Sequence, residues 1–231
     1  MLTLAVDTSS RTGSLAVLHD NAILGVVSTS SDEAYSSRMF RQLEFLLGEL
    51  DLGLPSIELF AVLVGPGSFT GLRVGLTAVK GWAEVYNRPI AAISGLEAVA
   101  AESPLVSGMV APVLDARRGQ IFGALYAKEG NRLSLRLPEC VSSPHEFLDK
   151  LAESLGPSDL IFASTSPDVL RGSIAGSPFA LSEVVEISHV LAPAIGRLGI
   201  ERAARGDVTT ALELDAAYIR RSDAELLWKR S

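Results

Sequence analysis

The sequence predicts an α/β fold built on mixed sheets, and three observations carry that prediction. Short apolar runs alternate with long amphipathic stretches along most of the 231 residues. The first three runs are separated only by turn residues, so they pair as antiparallel hairpins. After them a helical stretch lies between each run and the next, the separation that parallel strands require.

Residues 2–6, 14–18 and 23–28 are the hairpin strands, with Arg11-Thr12-Gly13 and Asp20-Asn21 as turns. A helix is expected over 34–50, where Met39, Leu43, Leu46 and Leu50 form one stripe that Phe40 and Leu47 widen. Gly53 and Pro55 end it. Residues 59–64 read as a buried strand without alternation, which Gly65-Pro66-Gly67 breaks sharply. A second long helix starts near Thr70, with Leu72, Leu76, Val79, Ala83 and Tyr86 on one face and Arg73, Thr77, Lys80, Glu84 and Arg88 on another. Asn87-Arg88-Pro89 closes it, a short strand follows over 90–93, and 94–102 is again helical. Antiparallel strands followed by parallel ones separated by helices is the order of a ribonuclease H-like lobe.

Ser103-Pro104 with Ser107-Gly108 mark the expected lobe boundary. Beyond it, strands over 110–114 and 120–127 are joined by Asp115-Ala116-Arg117-Arg118-Gly119, and a polar edge strand or loop follows. Residues 144–155 form a helix, 160–163 a strand, and 193–205 a helix that Gly206 is placed to cap.

Composition narrows the function. A single cysteine, Cys140, excludes an internal disulfide framework and a multi-cysteine zinc site, and points to a reducing compartment such as the cytoplasm. His19, His145 and His189 are far apart and match no metal-ligand spacing. No apolar run approaches the ~20 residues of a membrane span, and no export signal is expected. The net charge of −7 disfavours a surface that grips phosphate backbones throughout.

The segment Val64-Gly65-Pro66-Gly67-Ser68-Phe69-Thr70-Gly71-Leu72-Arg73 passes from strand through a glycine turn to a helix start, with Ser68 or Thr70 able to cap. Such turns often bind anions. On physical grounds alone, a tight connection that needs two glycines outweighs an anion cradle. No Walker sequence is present.

This segment, continued by Val74-Gly75-Leu76-Thr77-Ala78-Val79-Lys80-Gly81, resembles the signature shared by the TsaB family and its catalytic paralogue TsaD. Asp7-Thr8-Ser9-Ser10 is similar to the phosphate-side hairpin of that superfamily, Asp115-Ala116-Arg117-Arg118-Gly119-Gln120 to a second-lobe hairpin of TsaB proteins, and Tyr218-Ile219-Arg220 to their terminal segment. The resemblance spans nearly the whole chain and is weakest over 142–207. It implies the ASKHA fold of actin, Hsp70 and hexokinase, with two ribonuclease H-like lobes. The lobes are expected over 1–105, which carries the interface helices, and 106–231, whose late helix is free to pack back on the first.

The resemblance also separates catalyst from partner. TsaD carries an iron or zinc site whose two histidines lie four residues apart on a helix, so that both imidazoles face one metal. The corresponding positions here are Gly95 and Val99, which cannot bind a metal. Candidate nucleotide loops at 114–118 and 162–166 lack paired glycines.

The resemblance therefore implies a non-catalytic scaffold or activator that binds TsaD, together with the ATPase TsaE, in threonylcarbamoylation of adenosine 37 of tRNAs reading codons that start with A. It implies no cofactor on the isolated chain, with ATP or ADP only in the complex. It further implies a homodimer when alone, tRNA contact mainly through partners, and no membrane.

The helices around 37–50 and 70–86 carry more apolar surface than one sheet covers. Met39, Phe40, Leu43, Leu47, Arg73, Leu76 and Trp82 are, as a group, the expected partner surface. Asp7, Thr8, Ser9, Gly65 and Gly67 would be vestigial phosphate-side residues. The alternative is an enzyme: an actin-fold ATPase or kinase, or an M22-type metallopeptidase.

Overall fold

The structure, a computed structural model, describes residues 1–155 and 160–219. In chain order its elements are β1 (Leu2–Asp7), β2 (Thr12–His19), β3 (Ala22–Ser30), α1 (Tyr35–Glu49), β4 (Leu59–Gly65), α2 (Phe69–Tyr86), β5 (Ile90–Ser94) and α3 (Gly95–Glu102). They continue with β6 (Ser107–Arg117), β7 (Gln120–Glu129), β8 (Arg132–Ser142), α4 (Pro144–Leu155), β9 (Leu160–Ser164), α5 (Asp168–Ile174), β10 (Val184–Glu186) and α6 (Ala192–Ala204). The polar stretch after β7 is a full strand, while α5 and β10 lie where no element was expected. Arg220 of the terminal motif lies outside the described residues.

Two compact units are present. The first joins Met1–Gly95 to His189–Tyr218 around a five-stranded sheet of order β3-β2-β1-β4-β5. β1 runs antiparallel to β2 and parallel to β4, and β2 is antiparallel to β3. The hairpin-first order seen in the sequence is thus the sheet order. α1 packs on β2 and β3, α2 on β4 and β1, and α6 on β1, β2, β4 and β5.

The second unit contains Leu96–Ser188, and its sheet β8-β7-β6-β9-β10 repeats the first: two antiparallel pairings, then two parallel ones. Its core gathers Ile121, Leu125, Phe147, Leu151, Phe162 and Leu170. Gly123 lies under the Phe147 ring, where a Cβ would collide.

The first unit's opening segment ends at Gly95 where a boundary at residue 105 was expected, and it also takes in α6, the packing left open for the late helix. The change of unit falls between Gly95 and Leu96, so α3 goes with the second unit. Buried Lys128 on β7 holds that helix end, its Nζ donating to the Ala101 and Ser103 carbonyls, each at 2.7 Å. A cation at the C-terminal carbonyls suits the helix dipole.

The late helix α6 belongs to the first unit. Gly196 lies against Leu18, and Gly199 against Ala61 and Ala91, so close that no Cβ fits. The Ala192 amide donates to Ser14 Oγ at 3.1 Å and Arg202 Nη1 to the Ala92 carbonyl at 2.7 Å. Among the described residues no helix is long and apolar enough to cross a membrane.

Candidate partner-binding face

The glycine segment is built against the chain itself. β4 ends at Gly65, whose φ of 143° suits glycine. The space a side chain there would take is held by the Ala217 carbonyl, and the Ala217 amide donates to the Val64 carbonyl at 2.9 Å. On the other side, Gly67 lies against Ser9, Gly71 against the Thr8 carbonyl and Gly75 against Thr8 Oγ1. Thr8 Oγ1 donates to the Gly71 carbonyl at 2.8 Å, and the Ser68 amide donates to the Ser9 carbonyl at 2.7 Å. Ser68 caps α2, its Oγ accepting from the Gly71 amide at 3.3 Å.

Asp7, Thr8, Ser9, Gly65 and Gly67 are therefore together, but their polar groups are largely spent on one another. Asp7 is buried and its Oδ1 accepts from the Ser9 amide at 2.9 Å and from Ser9 Oγ at 2.7 Å. Burial pushes its carboxyl up to about 6, against the two Ser9 hydrogen bonds that pull it down. A phosphate would meet a carboxyl and filled glycine space instead of free amides, so these residues do not fit a nucleotide phosphate.

The two positions that correspond to the TsaD histidines carry no donor atom on their side chains. Gly95 opens α3 without a side chain, and Val99 is fully buried. No group of three or more histidine, cysteine, aspartate or glutamate side chains able to hold a metal occurs among the described residues.

The expected partner surface divides sharply. Met39, Leu43, Leu47 and Leu76 are buried in the unit's own core, which corrects their assignment to an interface. The stripe that made them conspicuous is the stripe that faces the sheet. Phe40 is 53% exposed, Arg73 is exposed and Trp82 is half-buried. Phe40 meets Trp82 edge-on at 6.3 Å, and Trp82 in turn lies 5.9 Å from Phe60 in β4. The outer sides of α1 and α2 join at that contact.

Two large apolar residues missed by the stripe argument lie on these outer sides: Phe45 at 61% and Val85 at 73% exposed. On α2, Val85 shares a stripe with Val74, Ala78 and Gly81, next to Trp82. Among the described residues, Gly81 and, on α1, Gly48 have nothing beyond their own helix within 4 Å of the place a Cβ would occupy. Internal packing explains Gly71 and Gly75 but neither of these. The available signal was a phenylalanine set among polar positions on α1 and a second apolar stripe on α2.

With this geometry in place the relatives are informative. A family profile described as "TsaD: tRNA N6-adenosine threonylcarbamoyltransferase" matches residues 9–185. The tRNA threonylcarbamoyladenosine biosynthesis protein TsaB of Bacillus subtilis (strain 168) is 32% identical over 157 residues, 68% of this chain and 69% of that protein. The chain belongs to the TsaB family.

YeaZ from Pseudomonas aeruginosa superimposes with a TM-score of 0.79 at 25% identity, covering 94% of this chain and 99% of that one. The fold is also that of component A of the Acidaminococcus fermentans (R)-2-hydroxyglutaryl-CoA dehydratase, with a TM-score of 0.52 at 12% identity over 88% of this chain and 99% of that one. The doubled strand order is thus the actin-like ASKHA fold. The profile is named for a transferase, TsaD, and it covers the segment in which this chain has Gly95 and Val99.

Proposed function

We propose that this TsaB-family chain acts in tRNA threonylcarbamoyladenosine synthesis as the partner that binds and activates TsaD, and not as the catalyst. The observation that carries the reading is the outer sides of α1 and α2, which expose Phe40, Phe45 and Val85, hold Trp82 half-buried against Phe40, and carry Gly48 and Gly81, with nothing among the described residues packed against either glycine. Exposed apolar side chains grouped on one face mark interaction sites. Glycine in a helix interior costs about 1 kcal/mol relative to alanine, a cost offset if another backbone or ring approaches there.

The absence of donors at positions 95 and 99 and the filled glycine turn support a role without its own metal or nucleotide. The same face would pair two copies when TsaD is absent, with the ATPase TsaE joining the TsaD complex. A net charge of −7 agrees with tRNA being held mainly by the partners.

Reconstitution tests the role. TsaD, TsaE, the threonylcarbamoyl-adenylate donor and tRNA are combined with and without the chain. Modified adenosine should form only in its presence, and equal product in its absence would refute the proposal.

A further inference from the structure

Two sequence motifs far apart in the chain meet at the first turn of α2. The segment around Ala217 is anchored to the end of β4 by the Ala217–Val64 hydrogen bond and by the glycine space at Gly65. That anchoring carries Tyr218 over α2, where its ring lies 4.9 Å from Phe69 at an interplanar angle of 31°. The Arg73 guanidinium sits 3.8 Å from the Phe69 ring centroid, and Arg73 Nε donates to Tyr218 Oη at 3.3 Å. All three side chains are exposed.

An arginine on a surface helix ordinarily gains nothing from such an arrangement in the isolated protein, because exposed contacts of this type are weak and ordering the side chain has an entropic cost. Here Nε is engaged and one face of the guanidinium is covered, while among the described residues no bond to either terminal nitrogen is present. Those two nitrogens form the fork that receives a carboxylate in bidentate geometry. Pre-ordering lowers what binding must later spend on fixing the side chain.

We infer that Arg73, held by Phe69 and Tyr218, is a charged anchor at the rim of the α1/α2 face and receives an acidic side chain of the protein that docks there. This rests on the partner-binding reading above and adds the chemistry of one contact. Charge complementarity selects the occupant. Thr70 and Thr77 lie one turn to either side of Arg73, and the next cation along the helix is Lys80, about 10 Å away by helical rise. A polyphosphate or an RNA backbone calls for several clustered cations. Among the described residues the cluster is one oriented arginine beside two exposed aromatic rings, which is instead the composition of a protein–protein contact. Tyr218 and Phe69 are positioning residues for it.

The test is titration of folded, full-length variants against TsaD at low and high salt, with circular dichroism and thermal unfolding as controls. Arg73→Gln should weaken binding about tenfold at low salt and flatten its salt dependence. Arg73→Lys should recover the salt dependence but only part of the affinity. Tyr218→Phe, which keeps the ring and removes the acceptor for Nε, should weaken binding several-fold with the salt dependence unchanged. Phe40→Glu is the reference for the face as a whole. Loss of binding in Phe40→Glu with wild-type affinity and salt dependence in Arg73→Gln would overturn this inference and leave the face intact. Undiminished binding in both would remove the face as well. Binding of a fluorescent adenine nucleotide or of tRNA that Arg73→Gln abolishes while TsaD affinity is unchanged would also overturn it.

Discussion

Asp7 ends β1 with a carboxyl that is 1% exposed, and its Oδ2 has no partner among the described residues. Ser14 faces it from β2, and the Tyr35 phenol of α1, itself pushed up mainly by burial, feels its charge. No cation lowers Asp7, so its folded value of about 6 lies above the ordinary 3.8. Between those two values the folded chain keeps a proton that the unfolded chain has lost. The contribution of Asp7 is therefore fully present below about pH 4 and is lost as pH rises through 6, about 3 kcal/mol in all. Urea midpoints compared at about pH 4.5 and pH 7 should show this decline in the wild type and not in Asp7→Asn; parallel profiles would contradict it. Thr8 gives a second residue-scale test. A methyl group at Gly75 collides with Thr8 Oγ1, so Gly75→Ala should cost about 1–3 kcal/mol in chemical denaturation.

At the scale of the element, α1 and α2 each have one side that the sheet explains and one that it does not. Leu43 is buried, so Leu43→Glu should unfold the chain or cost several kcal/mol. Phe40→Glu on the outer side should leave the thermal midpoint within a few degrees of the wild type while removing TsaD from co-purified material. The glycines separate stability from binding more finely. Gly48→Ala and Gly81→Ala place a methyl in open space and should each stabilise the isolated chain by up to about 1 kcal/mol. They should nonetheless weaken the complex, because the methyl occupies the partner's space. Improved stability with unchanged affinity would detach the glycines from any interface.

These helices also show where the sequence was legible. Period alone placed both and identified the residues that face the sheet. It could not tell a buried stripe from a docking face, since both are runs of large apolar residues. The signal for the outer side was Phe45 standing among polar neighbours and Val85 on a second apolar stripe, together with glycines that nothing internal requires. Gly65, Gly67, Gly71 and Gly75 were visible as a motif, but the reason for them was not. It depends on Ala217, Thr8 and Ser9, which only the folded chain brings alongside.

For the whole molecule, the strand order of the first sheet could be read because hairpin turns and helical crossovers leave different spacings. The second sheet repeats that order without a repeat in the sequence, since its strands share topology and not side chains. The extent of the units was less legible. α6 comes from beyond residue 190 yet closes one side of the first sheet through Gly196 and Gly199, a contact without a local sequence signature.

In this architecture the first unit carries the family motifs at 7–10 and 64–81 and the outer faces of α1 and α2, so the central claim is that this surface is where TsaD binds. It is tested most directly by titrating TsaD with the double variant Phe40→Glu/Val85→Glu, once its circular dichroism spectrum and thermal unfolding match the wild type. The account predicts that affinity falls by about a hundredfold or more with the fold unchanged; affinity equal to the wild type in that folded variant would contradict it.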